Sequence, residues 1–214
     1  MSATNRSAQR KVMDVYTTPS WCLDRLLDFD PKFLREDGAQ MSFLEPCVGD
    51  GALIRAYQAY RGKGNWDSWT GIELRDDEGL RASVLGLPRV KAVFGQDFLK
   101  WDSRTRFNVC LTNPPYSRAQ EFVEHGWKYC RHVCLLLRLN FYGSSKRHSW
   151  LSAHMPDAYV LPNRPAFSRN KSGRWGTDAT EYAWFHWDTS WEARRSGSIF
   201  LLNQTPKTAR SRDA

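Results

Sequence analysis

The 214-residue chain predicts an α/β domain built on a mostly parallel sheet, and three observations lead there. Short apolar runs alternate with amphipathic stretches, the pattern of strands joined by crossover helices. A glycine-rich turn, Gly49-Asp50-Gly51, connects the first apolar run to an amphipathic one. Acids or a Pro-Pro pair stand where the second, third and fourth runs end, and carboxyl ends of strands are where open α/β sheets bind ligands.

In chain order, Thr18 is a good N-cap and Pro19 a good first residue for a helix over 19–29, whose apolar series is Cys22, Leu23, Leu26 and Leu27. A strand over 41–45 leads into Glu45-Pro46-Cys47-Val48-Gly49-Asp50-Gly51 and a helix over 51–61. The next strand, 69–74, ends in Glu73-Leu74 before a helix over 76–86. A strand over 90–94 precedes Gly95-Gln96-Asp97-Phe98, and a strand over 107–112 is stopped by Asn113-Pro114-Pro115-Tyr116, because two prolines cannot continue a ladder. A helix over 118–130 and strands over 132–139, 157–161 and 181–187 complete the set. No helical pattern separates the last two strands, so they read as an antiparallel pair. The expectation is one domain over 12–190, with segments 1–11 and 204–214 as flexible tails.

No apolar run reaches membrane-spanning length, and the basic amino terminus lacks the apolar stretch of a signal peptide. The five cysteines are odd in number and mostly sit in apolar contexts. They read as reduced thiols of a cytoplasmic protein. Cys130 and Cys134 lie near His125 and His132, but the spacing fits no usual zinc site, so no metal is expected. The net charge of +8 is unevenly placed. Between 138 and 174 stand Arg138, Lys146, Arg147, Arg164, Arg169, Lys171 and Arg174 against one acid, Asp157, interleaved with Phe141, Tyr142, Trp150 and Phe167. Bases for phosphates and rings for stacking suit a nucleic-acid surface.

Two segments carry the chemistry. Glycines at 49 and 51 let a backbone approach a nucleotide-like ligand closely. Asn113 stands at a strand end, where its amide oxygen and the Pro114 carbonyl could grip the two N–H groups of an amine. Such an amine is a poor nucleophile while its lone pair is delocalised, and two fixed acceptors would localise that pair.

Asn113-Pro114-Pro115-Tyr116 resembles the catalytic motif of S-adenosylmethionine-dependent amino-methyltransferases, most closely the adenine-N6 DNA enzymes of small phage or orphan type. The stretch from Glu45 to Gly51 resembles their first motif: acid, Pro, two variable residues, Gly, x, Gly. The Tyr16-Thr17-Thr18-Pro19 segment resembles the motif that precedes that loop. The resemblance implies a Rossmann-like class I methyltransferase fold, with seven mostly parallel strands, helices on both faces and an antiparallel last strand. It implies that S-adenosylmethionine is held by Tyr16, Thr18, Pro19, Glu45, Pro46, Cys47, Gly49, Asp50, Gly51, Glu73, Leu74, Asp97, Phe98 and Asn113. Glu73 would take the ribose hydroxyls, and Asp97 the adenine amino group with Phe98 on the ring. Tyr116 and Phe167 would stack on opposite faces of an extruded base, and the basic residues from Arg138 to Arg174 would meet phosphates. DNA is the expected partner of a monomer or weak homodimer. Short recognition loops around 138–178 imply a short or relaxed recognition sequence. The alternatives are adenine in RNA, or an inactive nucleic-acid-binding protein on the same fold.

Overall fold

The computed structural model of the protein describes residues 17–35, 39–169, 175–176, 179–189 and 197–205. Helix α1 (Ser20–Phe29) leads into strand β1 (Ser42–Glu45), followed by α2 (Ala52–Arg61), β2 (Ser68–Glu73), α3 (Glu78–Leu85), β3 (Val90–Phe94) and β4 (Phe107–Thr112). Then come α4 (Ala119–Gly126), β5 (Cys130–Arg138), α5 (His148–Ala153) and β6 (Asp157–Val160). A two-residue hairpin pairs β7 (Ser168–Arg169) with β8 (Trp175–Gly176), and β9 (Tyr182–Asp188) and β10 (Ile199–Leu201) close the chain.

The main sheet runs β3-β2-β1-β4-β5-β9-β6-β10. The five strands from β3 to β5 are mutually parallel, and β9 lies antiparallel between β5 and β6. The strand order reverses at β1 and β4, whose pairing sets Leu44 beside Cys110. That switch point opens a crevice at the carboxyl edge.

Period-two alternation sends neighbouring side chains to opposite faces. Phe43, Trp69, Val109 and Leu111 pack on one face with α1, α2 and α3. Leu44, Ile72, Cys110 and Val133 pack on the other with Phe122 and Val123 of α4 and Leu151 of α5. Helices therefore cover both faces, as expected.

Four expectations are corrected. The main sheet has eight strands rather than seven, because β10 adds to β6 beyond residue 190. Its three residues are too few to give a periodic signal. Past it, Leu202 and Thr205 are buried; residues 206–214, like 1–16, lie outside the described residues. Helix α4 stops at Gly126, not 130, and β5 begins at Cys130. Helix α5, unforeseen, has only six residues, fewer than two turns. Finally, Pro19 rather than Thr18 is the N-cap of α1: the Cys22 N–H donates to the Pro19 carbonyl at 3.0 Å, and no side chain caps the helix. The Thr18 hydroxyl is engaged elsewhere.

The β1–β2 seam rests on Trp69. Its indole is 1% exposed and stacks on Phe43 at 4.4 Å between ring centroids, with Tyr57 edge-on at 5.4 Å. Trp69→Ala leaves a cavity there and is expected to destabilise the protein by about 3–5 kcal/mol in denaturant titration. A loss under about 1 kcal/mol would place the core elsewhere.

Candidate active site

The parallel strands bring Glu45, Glu73, Asp97 and Asn113 to one edge of the sheet, at or just beyond the carboxyl ends of β1 to β4. The turn after β1 depends on glycine at two points. Gly49 has φ of 52° and Gly51 φ of 84°, both left-handed. A β-carbon on Gly51 would also meet Leu87 Cδ1 at 3.0 Å. Gly51 caps α2, so the turn passes directly into a helix amino terminus.

Glu73 ties this turn to β2. Its Oε2 accepts from the Gly49 N–H at 2.8 Å, and its Oε1 accepts from the Arg75 N–H and Nε at 3.0 Å each. Asp50 serves α2: Oδ1 accepts from the Ala52 N–H at 3.1 Å and Oδ2 from Arg55 at 3.0 Å. Asp97 Oδ1 accepts from the Leu99 N–H at 3.0 Å, and its other oxygen lies 3.8 Å from Arg118.

Glu45 is different. It is 2% exposed, and its Oε2 has no hydrogen-bond partner. Burial pushes its carboxyl well above the ordinary value of 4.5, with the nearby charges of Asp50 and Glu73 adding to the rise and Arg55 opposing it. Arg55 is thus too weak a counter-charge to hold this buried carboxyl at its ordinary value.

Two adjacent residues ahead of α1 link the glycine turn to the Asn-Pro-Pro-Tyr segment. The Thr17 hydroxyl donates to Asp50 Oδ2 at 3.5 Å. The Asn113 Nδ2 donates to the buried Thr18 hydroxyl at 3.0 Å. The two motifs therefore share one crevice. The Pro115 carbonyl is used by the Arg118 N–H at 2.9 Å, whereas no backbone N–H of the described residues reaches Pro114 O.

Tyr116 packs beside Tyr182 at 5.6 Å, with the Arg138 guanidinium 5.1 Å from its ring centre. Burial, together with Tyr182, pushes the Tyr116 phenol far up, so it stays neutral. Arg138 Nε donates to the Tyr182 hydroxyl at 3.0 Å. Phe167 is 6% exposed and meets Tyr182 edge-on at 5.1 Å, so Tyr182 stands between it and Tyr116. Tyr182 lies within the expected 181–187 strand and carries no site signal of its own in the sequence. Its register partner is Arg138, a pairing visible only once β5 and β9 are aligned.

Other expected site residues fall differently. Phe98 is 2% exposed, its ring against Phe122 and His125, so it is a core residue. Leu74, 58% exposed beside Glu73, offers the open apolar surface there. Pro19 and Pro46 are buried and Cys47 half-buried around the turn. Among the expected phosphate contacts, Arg147 donates to the Phe141 carbonyl at 3.3 and 3.2 Å and stacks on its ring. Arg164 is paired with Glu181 at 2.5 Å. Lys146 is exposed. The side chain of Arg169 and the residues Tyr16, Lys171 and Arg174 lie outside what the structure describes.

No protein-family model and no curated protein matches the chain in sequence. Solved structures do match. The methyltransferase subunit of a type I restriction-modification system from Streptococcus thermophilus superposes with TM-score 0.63 at 16% identity, over 92% of this chain and 52% of that one. A Listeria monocytogenes protein assigned to the class I S-adenosylmethionine-dependent methyltransferases gives 0.55 at 13%, over 90% and 66%. The N-terminal domain of human METTL16 in complex with SAH gives 0.51 at 12%, over 78% and 68%. The chain thus spans about half of the Streptococcus subunit and about two thirds of the Listeria protein. Its fold is the Rossmann-like class I methyltransferase fold, with an eighth strand on the edge.

The raised value for Glu45 has a stability consequence. Above the ordinary value of 4.5 the unfolded chain gives up the Glu45 proton before the folded one does. This contribution to stability is complete at low pH and is lost as pH climbs toward the folded-state value. Glu45→Gln should therefore flatten the fall in stability that wild type shows as pH rises above 4.5 in denaturant titrations. A variant profile parallel to wild type would show that Glu45 titrates normally.

Proposed function

We propose that the protein transfers a methyl group from S-adenosylmethionine to the N6 amino group of adenine in DNA. The observation that carries the reading is the Thr17-Thr18 link, which joins the glycine turn and Asn113 across the switch-point crevice. The residues present fit the cofactor. Glu45 would face its ammonium group, Glu73 has remaining lone pairs toward the ribose, and Leu74 offers apolar surface for the adenine. The cofactor would supply an electrophilic methyl group on a sulfonium.

The chain's own residues do the rest. The Asn113 amide oxygen and the Pro114 carbonyl accept the two N–H groups of the target amine. That concentrates its lone pair along the line of attack and holds it near the methyl carbon. On accepting the methyl group, which would leave S-adenosylhomocysteine behind, the amine would release a proton to solvent. Tyr116 supplies a neutral ring beside which an extruded base can lie. Extrusion costs a few kcal/mol of unstacking and unpairing, least in single strands.

Supporting the DNA reading is the fold shared with a restriction-modification methyltransferase subunit. The pairing of Arg147 with a backbone carbonyl and of Arg164 with Glu181 leaves fewer charges for phosphate than composition implied. Fewer free charges imply weaker and less salt-dependent DNA binding.

Asn113→Ala should bind S-adenosylhomocysteine in calorimetry with wild-type affinity, within about threefold, and lose about 100-fold or more of tritiated methyl transfer to DNA. Near-wild-type turnover of that variant would end the mechanism. Incorporation into matched RNA alone would move the target to RNA.

A further inference from the structure

We propose that strand β10 is a docking edge for a second copy of this chain, paired antiparallel about a two-fold axis at Phe200. The inference goes beyond the methyl-transfer reading and does not depend on it.

β10 is the last strand of the main sheet, with β6 on one side only. The pairing is parallel and sets Ile199 beside Ala158 and Leu201 beside Val160. The Ala158 N–H donates to the Ser198 carbonyl at 2.8 Å, and the Leu202 N–H donates to the Val160 carbonyl at 3.0 Å. Backbone groups alternate in direction along a strand. Phe200, with its neighbours' bonded groups, therefore turns toward β6, while the N–H and C=O of Ile199 and Leu201 turn away. No described residue hydrogen-bonds those outward groups.

The same two residues carry the strand's exposed side chains. Ile199 is 64% and Leu201 77% exposed. Residues 197–205 include no charged residue and no proline. Edges that stay unpaired are commonly guarded by such residues, and this one is not.

Symmetry selects the occupant. The outward residues lie evenly about Phe200. In an antiparallel union, Ile199 of one copy stands opposite Leu201 of the other, and the match occurs twice. Each opposed pair exchanges two N–H···O bonds, so every outward group of Ile199 and Leu201 is used. An edge that matches itself in this way closes as a two-fold dimer. With no charge on the edge, no like charges meet across the axis. The Ile199 and Leu201 side chains of both copies form one apolar strip. On the other face the Phe200 ring, 4.9 Å from Tyr159 and 5.5 Å from the 40% exposed Phe29, meets its counterpart.

The union leaves the crevices free. β10 lies four strand positions from β4, roughly 19 Å away. It runs parallel to β6, and β6 and β5 both run antiparallel to β9, so β10 points the same way as β1 to β5. The two copies therefore present their crevices on opposite sides.

So short an edge gives a dissociation constant on the order of 1–100 μM, read by sedimentation of the full chain. Leu201→Pro removes only an outward N–H and should weaken the dimer about tenfold or more with an unchanged circular-dichroism spectrum. Leu201→Lys, at an exposed position, should do the same. A mixture of Ile199→Cys and Leu201→Cys chains should form an interchain disulfide faster than either variant alone, because opposed Cα atoms lie about 5.5 Å apart. A wild-type chain still monomeric at about 200 μM overturns the proposal. So does a dimer that neither Leu201 variant weakens, or cross-linking as fast in a single variant as in the mixture. A monomer whose Ile199 and Leu201 amides resist hydrogen exchange overturns it too, because another segment of the same chain then covers the edge. A protein that dimerises as described yet transfers no methyl group refutes the methyl-transfer reading alone.

Discussion

Parallel pairing of β1, β2, β3 and β4 is the constraint on which the site depends. Parallel strands end on the same edge, so residues far apart in sequence arrive together there: Glu45, Glu73, Asp97 and Asn113. The reversal of strand order between β1 and β4 parts the connecting segments and leaves the crevice. The Thr17-Thr18 strap then crosses it, with Asp50 on one side and Asn113 on the other. An antiparallel arrangement of the same strands would scatter these groups to opposite edges.

Buried polar groups stand at that edge against an otherwise apolar interior. Glu73 is compensated by the Gly49 and Arg75 donors, and Thr18 by Asn113. Glu45 is not compensated at Oε2. A buried carboxyl of that kind destabilises the free protein, and such costs are characteristic of binding sites.

Much of this was legible in the sequence, and the parts that were not share a physical reason. Strand ends marked by an acid or a Pro-Pro pair are local signals, so β1 to β4 and the glycine turn were read correctly. The antiparallel β9 followed from the absence of a helix before it. What failed was short or depended on pairing. Neither β10 nor α5 is long enough to show a period. Phe98 follows Asp97 in the right place, yet its ring turns into the core against Phe122, a contact no local rule contains. The basic stretch counted charges correctly but could not show that Arg147 and Arg164 would be occupied within the protein. Thr18 carried a cap signal, and a longer-range partner won the hydroxyl.

Three of the structures that share this fold are described as methyltransferases or bound to their product, at 12–16% identity. The chemistry must therefore be tested on this chain directly. The most direct measurement is nucleoside mass spectrometry of unmethylated DNA after incubation with the protein and S-adenosylmethionine. The account predicts N6-methyldeoxyadenosine and no other modified base. Methylcytosine, or no modified base from folded protein that binds the cofactor, would contradict it.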